Sequence, residues 1–162
     1  MTPCDHALSL ARFVRSVSDG MLRNWPEEKL THQNTPHDNH PLWVLGHIAN
    51  TDAWIGSVVG ADVSVPASYD KLFGMGSKPS AQRSAYPSFA ELRAQFDRNR
   101  AGLIAWFEKA TPQQLAVDLR EKTGSFANDP VDALLKCAWH EGWHFGQVST
   151  LRRSLGLPPL MG

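Results

Sequence analysis

Residues 139–144 read Trp139-His140-Glu141-Gly142-Trp143-His144, inside the last long apolar segment of the chain, residues 129–155. A helix turns about 100° per residue, so side chains four apart share one face. His140 and His144 therefore point the same way, one turn apart, and their face continues as Val148, Leu151 and Leu155. That is a core-facing stripe with two imidazoles set into it. Burying two such rings without partners is costly, and a divalent metal accepting a lone pair from each neutral ring removes the cost.

The segment is bounded at both ends. Asp129-Pro130 is an N-cap followed by proline at the first helical position, and Gly156 with Pro158-Pro159 stops the helix. Working back along the chain, residues 6–25 form a first amphipathic helix. Leu10, Phe13, Val14, Val17, Met21 and Leu22 make its apolar face, Arg12, Arg15 and Asp19 lie on its surface, and Pro26 ends it. Residues 27–39 are polar and read as a loop. A second helix starts at Asn39 or His40, tolerates Pro41 in its first turn, and runs to Val59 before Gly60. Its face Trp43, His47, Asn50, Trp54 again carries a histidine among aromatic residues, with Gly46 beside it permitting close approach of a neighbouring helix or a ligand.

Residues 61–87 are too long for an ordinary connection in a compact domain. They read as a crossover whose Tyr69, Leu72, Phe73 and Met75 pack down over the mouth of a site, or as a flexible connector anchored by the same aromatics. Ser88-Phe89-Ala90-Glu91 is a capping box opening a third helix to Ala110, with Leu92, Phe96, Leu103, Ile104 and Phe107 buried. Thr111-Pro112 begins a short turn, and residues 117–123 are a candidate extended piece with nothing to pair with. Four long amphipathic segments without a convincing strand define an all-α four-helix bundle, with a long crossover loop between helices 2 and 3, expected as a single domain over residues 1–162.

Composition narrows the function. Sixteen basic and sixteen acidic residues balance, which leaves no electrostatic footprint for nucleic acid or an anionic membrane. No apolar run is long enough to span a bilayer. Residues 1–10 carry Asp5 and His6 where a leader would be basic and then apolar, so no signal peptide is expected. Two cysteines are too few for a disulfide framework, and a cytoplasmic setting is expected.

In bundles, metal sites are built from inward side chains of different helices. His47 with His140 and His144 gives three nitrogen ligands, and three protein ligands with open positions describe a catalytic rather than a structural site. Imidazole suits Zn, Ni, Fe and Cu; Zn, Ni or Fe is the expected ion. His140 to His144 also matches H-E-x-x-H, in which the glutamate would be the general base of a zinc protease. Residues 145–162 contain no His, Asp, Glu or Cys to serve as the following ligand, and no sheet edge is evident for a peptide, so the protease is rejected. Glu141 then reads as a surface carboxylate or one supporting the ligands from behind.

Trp43-Val44-Leu45-Gly46-His47-Ile48-Ala49 on the second helix, and His140-x3-His144-Phe145-Gly146-Gln147 followed by Leu151-Arg152-Arg153-x-Leu155-Gly156-Leu157-Pro158-Pro159, resemble the DinB/YfiT-like superfamily. The resemblance covers nearly the whole chain. It implies a four-helix bundle, commonly dimeric, with metal ligands at His47, His140 and His144. Relatives include thiol transferases and isomerases that use a low-molecular-weight thiol, others treated as metal-dependent hydrolases, and many without an assigned reaction. The expected function is thus a metal-dependent enzyme acting on a small molecule, a hydrolase or a thiol S-transferase. Rival readings are non-catalytic capture of a metal or small molecule, as in a stress response, and a bundle whose histidines serve stability alone. Candidates for proton transfer or substrate orientation are Asn50, His40, Cys137 and Glu141, and Cys137 reads more readily as a small buried hydrophobe.

Overall fold

The structure, a computed structural model, describes residues 1–160. Six helices follow one another: α1 Pro3–Leu22, α2 Pro41–Val59, α3 Ser68–Phe73, α4 Phe89–Lys109, α5 Pro112–Leu115 and α6 Pro130–Ser154. The four long ones, α1, α2, α4 and α6, form the bundle. α1 lies along α6, α2 along α4, and α2 also meets α6, which brings His47 opposite His140 and His144. Among the described residues there is no strand, and residues 117–125 are irregular. Thr123 ties that segment off, its hydroxyl donating to the Leu119 carbonyl at 2.8 Å and accepting from the Ala127 N–H at 3.0 Å.

Local chemistry sets the helix ends. α1 begins three residues before the sequence-based start. The Thr2 hydroxyl accepts from the Asp5 N–H at 3.2 Å, the Asp5 carboxylate accepts from the Thr2 N–H at 2.7 Å, and Pro3 fits the first turn. It ends at Leu22 rather than Trp25, because Asn24 adopts a left-handed φ of 58°. His40, not Asn39, caps α2: its Nδ1 accepts from the Trp43 N–H at 3.2 Å. Gly60, at φ 87°, closes that helix. The capping boxes Ser88/Glu91 and Thr111/Gln114 open α4 and α5, and Asp129 caps α6.

The core between α2, α4 and α6 is built by Leu42, Leu45, Ile48, Leu92, Phe96, Phe145 and Val148, all buried. Gly46 lets the crossover pack down onto α2, since a methyl group there would lie 2.5 Å from ring carbons of Phe73. On α1 the buried face differs from the expected one. Cys4, Ala7, Leu8, Ala11, Ser18 and Leu22 face inward, while Phe13 is 61% exposed and Leu10 is exposed as well. Small side chains at Ala7 and Ala11 allow close packing on Leu134 and Ala138, and the rotation carries Arg15 inward.

Arg15 is therefore not a surface residue, and Glu141 is not a surface carboxylate. Arg15 Nε and Nη2 bind the Glu141 oxygens at 3.0 and 3.1 Å. Arg100 Nε and Nη2 bind Asp52 at 3.0 and 2.9 Å, and Arg100 Nη1 comes within 2.8 Å of Glu141 Oε2 as a charge contact without hydrogen-bond alignment. Arg15 Nη2 also lies 3.5 Å from Asp52. Each long helix thus supplies one charge to a buried, neutral quartet. Such a network fixes how four helices meet more than it adds net stability, because desolvation offsets the attraction.

Candidate metal centre

α2 supplies His47, and successive turns of α6 supply His140 and His144. His47 Nε2 and His140 Nε2 are 3.1 Å apart, and His144 Nε2 and His140 Nε2 are 3.0 Å apart. The three ligand atoms all lie within 4.8 Å of one another, close enough to hold one metal ion. A tetrahedral ion with Zn–N bonds of about 2.0–2.1 Å keeps its ligands roughly 3.3 Å apart, a few tenths from the two spacings to His140.

Hydrogen bonds at the outer ring nitrogens orient the lone pairs. His47 Nδ1 donates to the Phe73 carbonyl at 2.6 Å, which leaves Nε2 as its lone-pair atom. His144 Nδ1 donates to Gln147 Oε1 at 3.1 Å, with the same consequence, and Asn39 Nδ2 steadies that amide oxygen at 2.9 Å. Two lone pairs thus converge on His140 Nε2, which carries at most one proton and can satisfy only one of them. A cation satisfies all three. His140 Nδ1 is buried with no hydrogen-bond partner among the described residues. Trp43 braces the first ligand, its ring stacked on His47 at 4.4 Å with 14° between planes while its Nε1 donates to Ser77 Oγ at 3.0 Å.

Electrostatics keep the rings neutral. Burial, followed by the neighbouring imidazoles His144 and His47, pushes His140 down to about 3. Burial and then His47 push His144 down to about 4. Burial lowers His47 as well. Neutral imidazole is the ligating form.

A cavity of about 760 Å³ opens beside the three rings. Trp43, Trp54, Phe126 and Trp143 wall it, Ser77 and Met75 of the crossover also line it, although Met75 is fully exposed rather than packed down, and Asn50, Thr51 and Asp70 supply polar groups. Of the four candidates for proton transfer or orientation, the cavity takes in Asn50 alone. His40 is fully buried as a helix cap, and its Nε2 donates to the Ser80 carbonyl at 2.9 Å; burial pushes it down to about 4. Cys137 is packed with Ile55, Leu103 and Leu119, and burial pushes its thiol up. Glu141 points into the ion quartet; burial would raise its carboxyl, but Arg100 and Arg15 outweigh this and hold it below its ordinary value.

Sequence reasoning missed Asp70 and the part played by Gln147. Gln147 was detectable, since i,i+3 spacing puts its amide over His144. Asp70 lies in the crossover, where no periodicity marks it.

A family model described as the DinB superfamily matches residues 10–148, a span that includes all three histidines. The chain belongs to the DinB superfamily. A comparison with curated proteins finds no match to it. No helix among the described residues is long and apolar enough to cross a membrane.

Proposed function

We propose that His47, His140 and His144 hold one divalent transition metal, and that the protein is an enzyme of the hydrolase or low-molecular-weight-thiol S-transferase kind acting on a small molecule in the adjoining cavity. The observation that carries this reading is the convergence of three neutral Nε2 lone pairs at the wall of a roomy cavity. A metal held by three protein ligands keeps positions open for an exogenous group. Zn, Ni and Fe all suit imidazole donors. When bound, such an ion lowers the pKa of a coordinated water or thiol, giving a nucleophile at neutral pH.

The chain's own residues do the rest. Phe73 and Gln147 fix the ligand tautomers through Nδ1. The indoles of Trp43, Trp54 and Trp143 present flat apolar surface to a substrate. Asn50 offers an amide that hydrogen-bonds substrate but does not move protons at neutral pH. With Glu141, His40 and Cys137 engaged elsewhere, nucleophile activation falls to the metal rather than to a dedicated side-chain base.

A homodimer accords with the exposed apolar stripe along α1 and α6. Leu10, Phe13, Leu135, Trp139 and Trp143 are all exposed there, and the last two rings stack at 5.5 Å. Two buried free thiols suit a reducing cytoplasm.

A thermal-shift screen of the metal-loaded protein against low-molecular-weight thiols and against ester and amide substrates separates the two chemistries. A thiol that raises the melting temperature in wild type but not in His140→Ala supports transfer. Turnover of an ester or amide with no thiol response supports hydrolysis. Neither response, in protein that binds metal, would overturn the enzyme reading in favour of non-catalytic capture.

A further inference from the structure

The cavity is polarised in a way that the metal does not require. Asp70, on the first turn of α3, lines it, and its Oδ1 accepts a hydrogen bond from Asn50 Nδ2 at 3.3 Å. Asn50 stands one turn along α2 from His47, and this carboxylate lines the same cavity as the three imidazoles. None of the ion pairs among the described residues includes Asp70. No lysine or arginine lines the cavity among the described residues, and its histidines are the three ligands. Aromatic rings of Trp54, Phe126 and Trp143 make up much of the remaining wall. Lys136 Nζ lies 6.0 Å from the Phe126 ring centroid but is paired with Asp132 at 2.9 Å, so an anion would find no unpaired cation among the lining residues away from the metal. A cation would find a carboxylate and the faces of indole rings, which attract positive charge through their quadrupoles.

We infer that the cavity selects a small molecule with an apolar or aromatic body and a protonated amine, the amine seated on Asp70 and the body against the tryptophans. This rests on reading the cavity as the substrate site of the proposed metal centre, and it adds the class of substrate. Its dimensions suit it to such a ligand, since sites for drug-sized molecules fall in the range of about 300–1,000 Å³.

The test uses the full-length metal-loaded protein and the intrinsic fluorescence of the cavity tryptophans. 2-Phenylethylammonium is titrated beside its neutral near-isostere, 2-phenylethanol, into wild type and Asp70→Asn. The amine is expected to bind about tenfold or more tightly than the alcohol in wild type, and to lose that margin in Asp70→Asn, while alcohol binding is unchanged. Equal binding of amine and alcohol in wild type would overturn the proposal. So would an amine preference that survives in Asp70→Asn, which would make Asp70 only a favourable residue at a helix start. The comparison within wild type stands even if the variant misfolds. Repeating the titrations after removal of metal separates the two readings. An Asp70-dependent preference in a protein that takes up no metal retains the amine site and sinks the metal centre. Metal uptake without amine preference does the reverse.

Discussion

Arg15 on α1 and Glu141 on α6 meet through two parallel hydrogen bonds, Nε to Oε1 at 3.0 Å and Nη2 to Oε2 at 3.1 Å, inside the bundle. Glu141 follows His140 in the chain, yet one residue of helical rotation separates an imidazole facing the cavity from a carboxylate facing the ion quartet. Glu141→Gln leaves Arg15 and Arg100 sharing the one buried carboxylate of Asp52, with only a 3.8 Å contact from Arg15 to the exposed Asp97 beside it. Removing one partner from a buried ion pair costs about 3–5 kcal/mol. A fall of that size in unfolding free energy is expected in urea, with metal stoichiometry retained by the folded fraction. Wild-type stability with lost turnover would instead make Glu141 a catalytic base.

Stability depends on pH in a direction set by the buried histidines. An unfolded histidine titrates near 6.5, whereas the folded values are about 3 for His140 and about 4 for His144 and His40. Between those limits the unfolded chain binds protons that the folded chain refuses, so stability rises with pH. It is fully present above about 6.5 and lost as pH falls toward the folded values. Each ring contributes up to roughly 1.4 kcal/mol per pH unit in that window. Glu141, held below its ordinary value, adds a further loss at lower pH still. Urea midpoints of the metal-free protein are expected to drop steadily from pH 7 to 5, and less steeply in His40→Asn. A flat profile would contradict the buried, neutral rings.

Gln147 holds His144 through Nδ1, and Asn39 holds Gln147. Loss of a hydrogen-bond partner behind a metal-ligating histidine typically costs 10–100-fold in affinity. Gln147→Leu is expected to weaken metal binding by about that factor in a chelator competition, whereas Gln147→Glu, which keeps an acceptor oxygen, retains most of it. Unchanged affinity in the leucine variant would mean that the amide does not orient the ring.

Trp139 is 61% exposed and Trp143 57%, and Gly146 lies between them and the helix end with nothing within 4 Å of where its side chain would project. Sedimentation equilibrium is expected to show a dimer for wild type and a monomer for Trp139→Glu. A wild-type monomer at tens of micromolar would remove the second subunit from the account.

The histidine-bearing stripes were legible because helical spacing marks them: His140 and His144 four apart on a face ending in Val148 and Leu151, and His47 between Trp43 and Asn50. Caps at Ser88 and Asp129 were legible for the same local reason. The face of α1 was not. Phe13 and Leu10 carry more apolar surface than Ala7 and Ala11, and periodicity weighs size, whereas close helix packing selects small side chains. The ion quartet was equally hidden, since Arg15, Asp52, Arg100 and Glu141 lie far apart in the chain and each alone resembles a solvated charge. Asp70 and Ser77 came into the site from the crossover, whose path depends on Phe73 packing over Gly46 rather than on any repeat.

Elemental analysis of the purified protein beside His47→Ala and His140→Ala tests the proposed three-histidine metal site. About one divalent transition metal per chain is expected in wild type, with loss in both variants while their helical circular dichroism persists. Wild-type protein that carries no metal and takes none up from Zn, Ni, Fe or Mn would contradict the account, and would leave the three imidazoles as packed residues at the wall of an aromatic cavity.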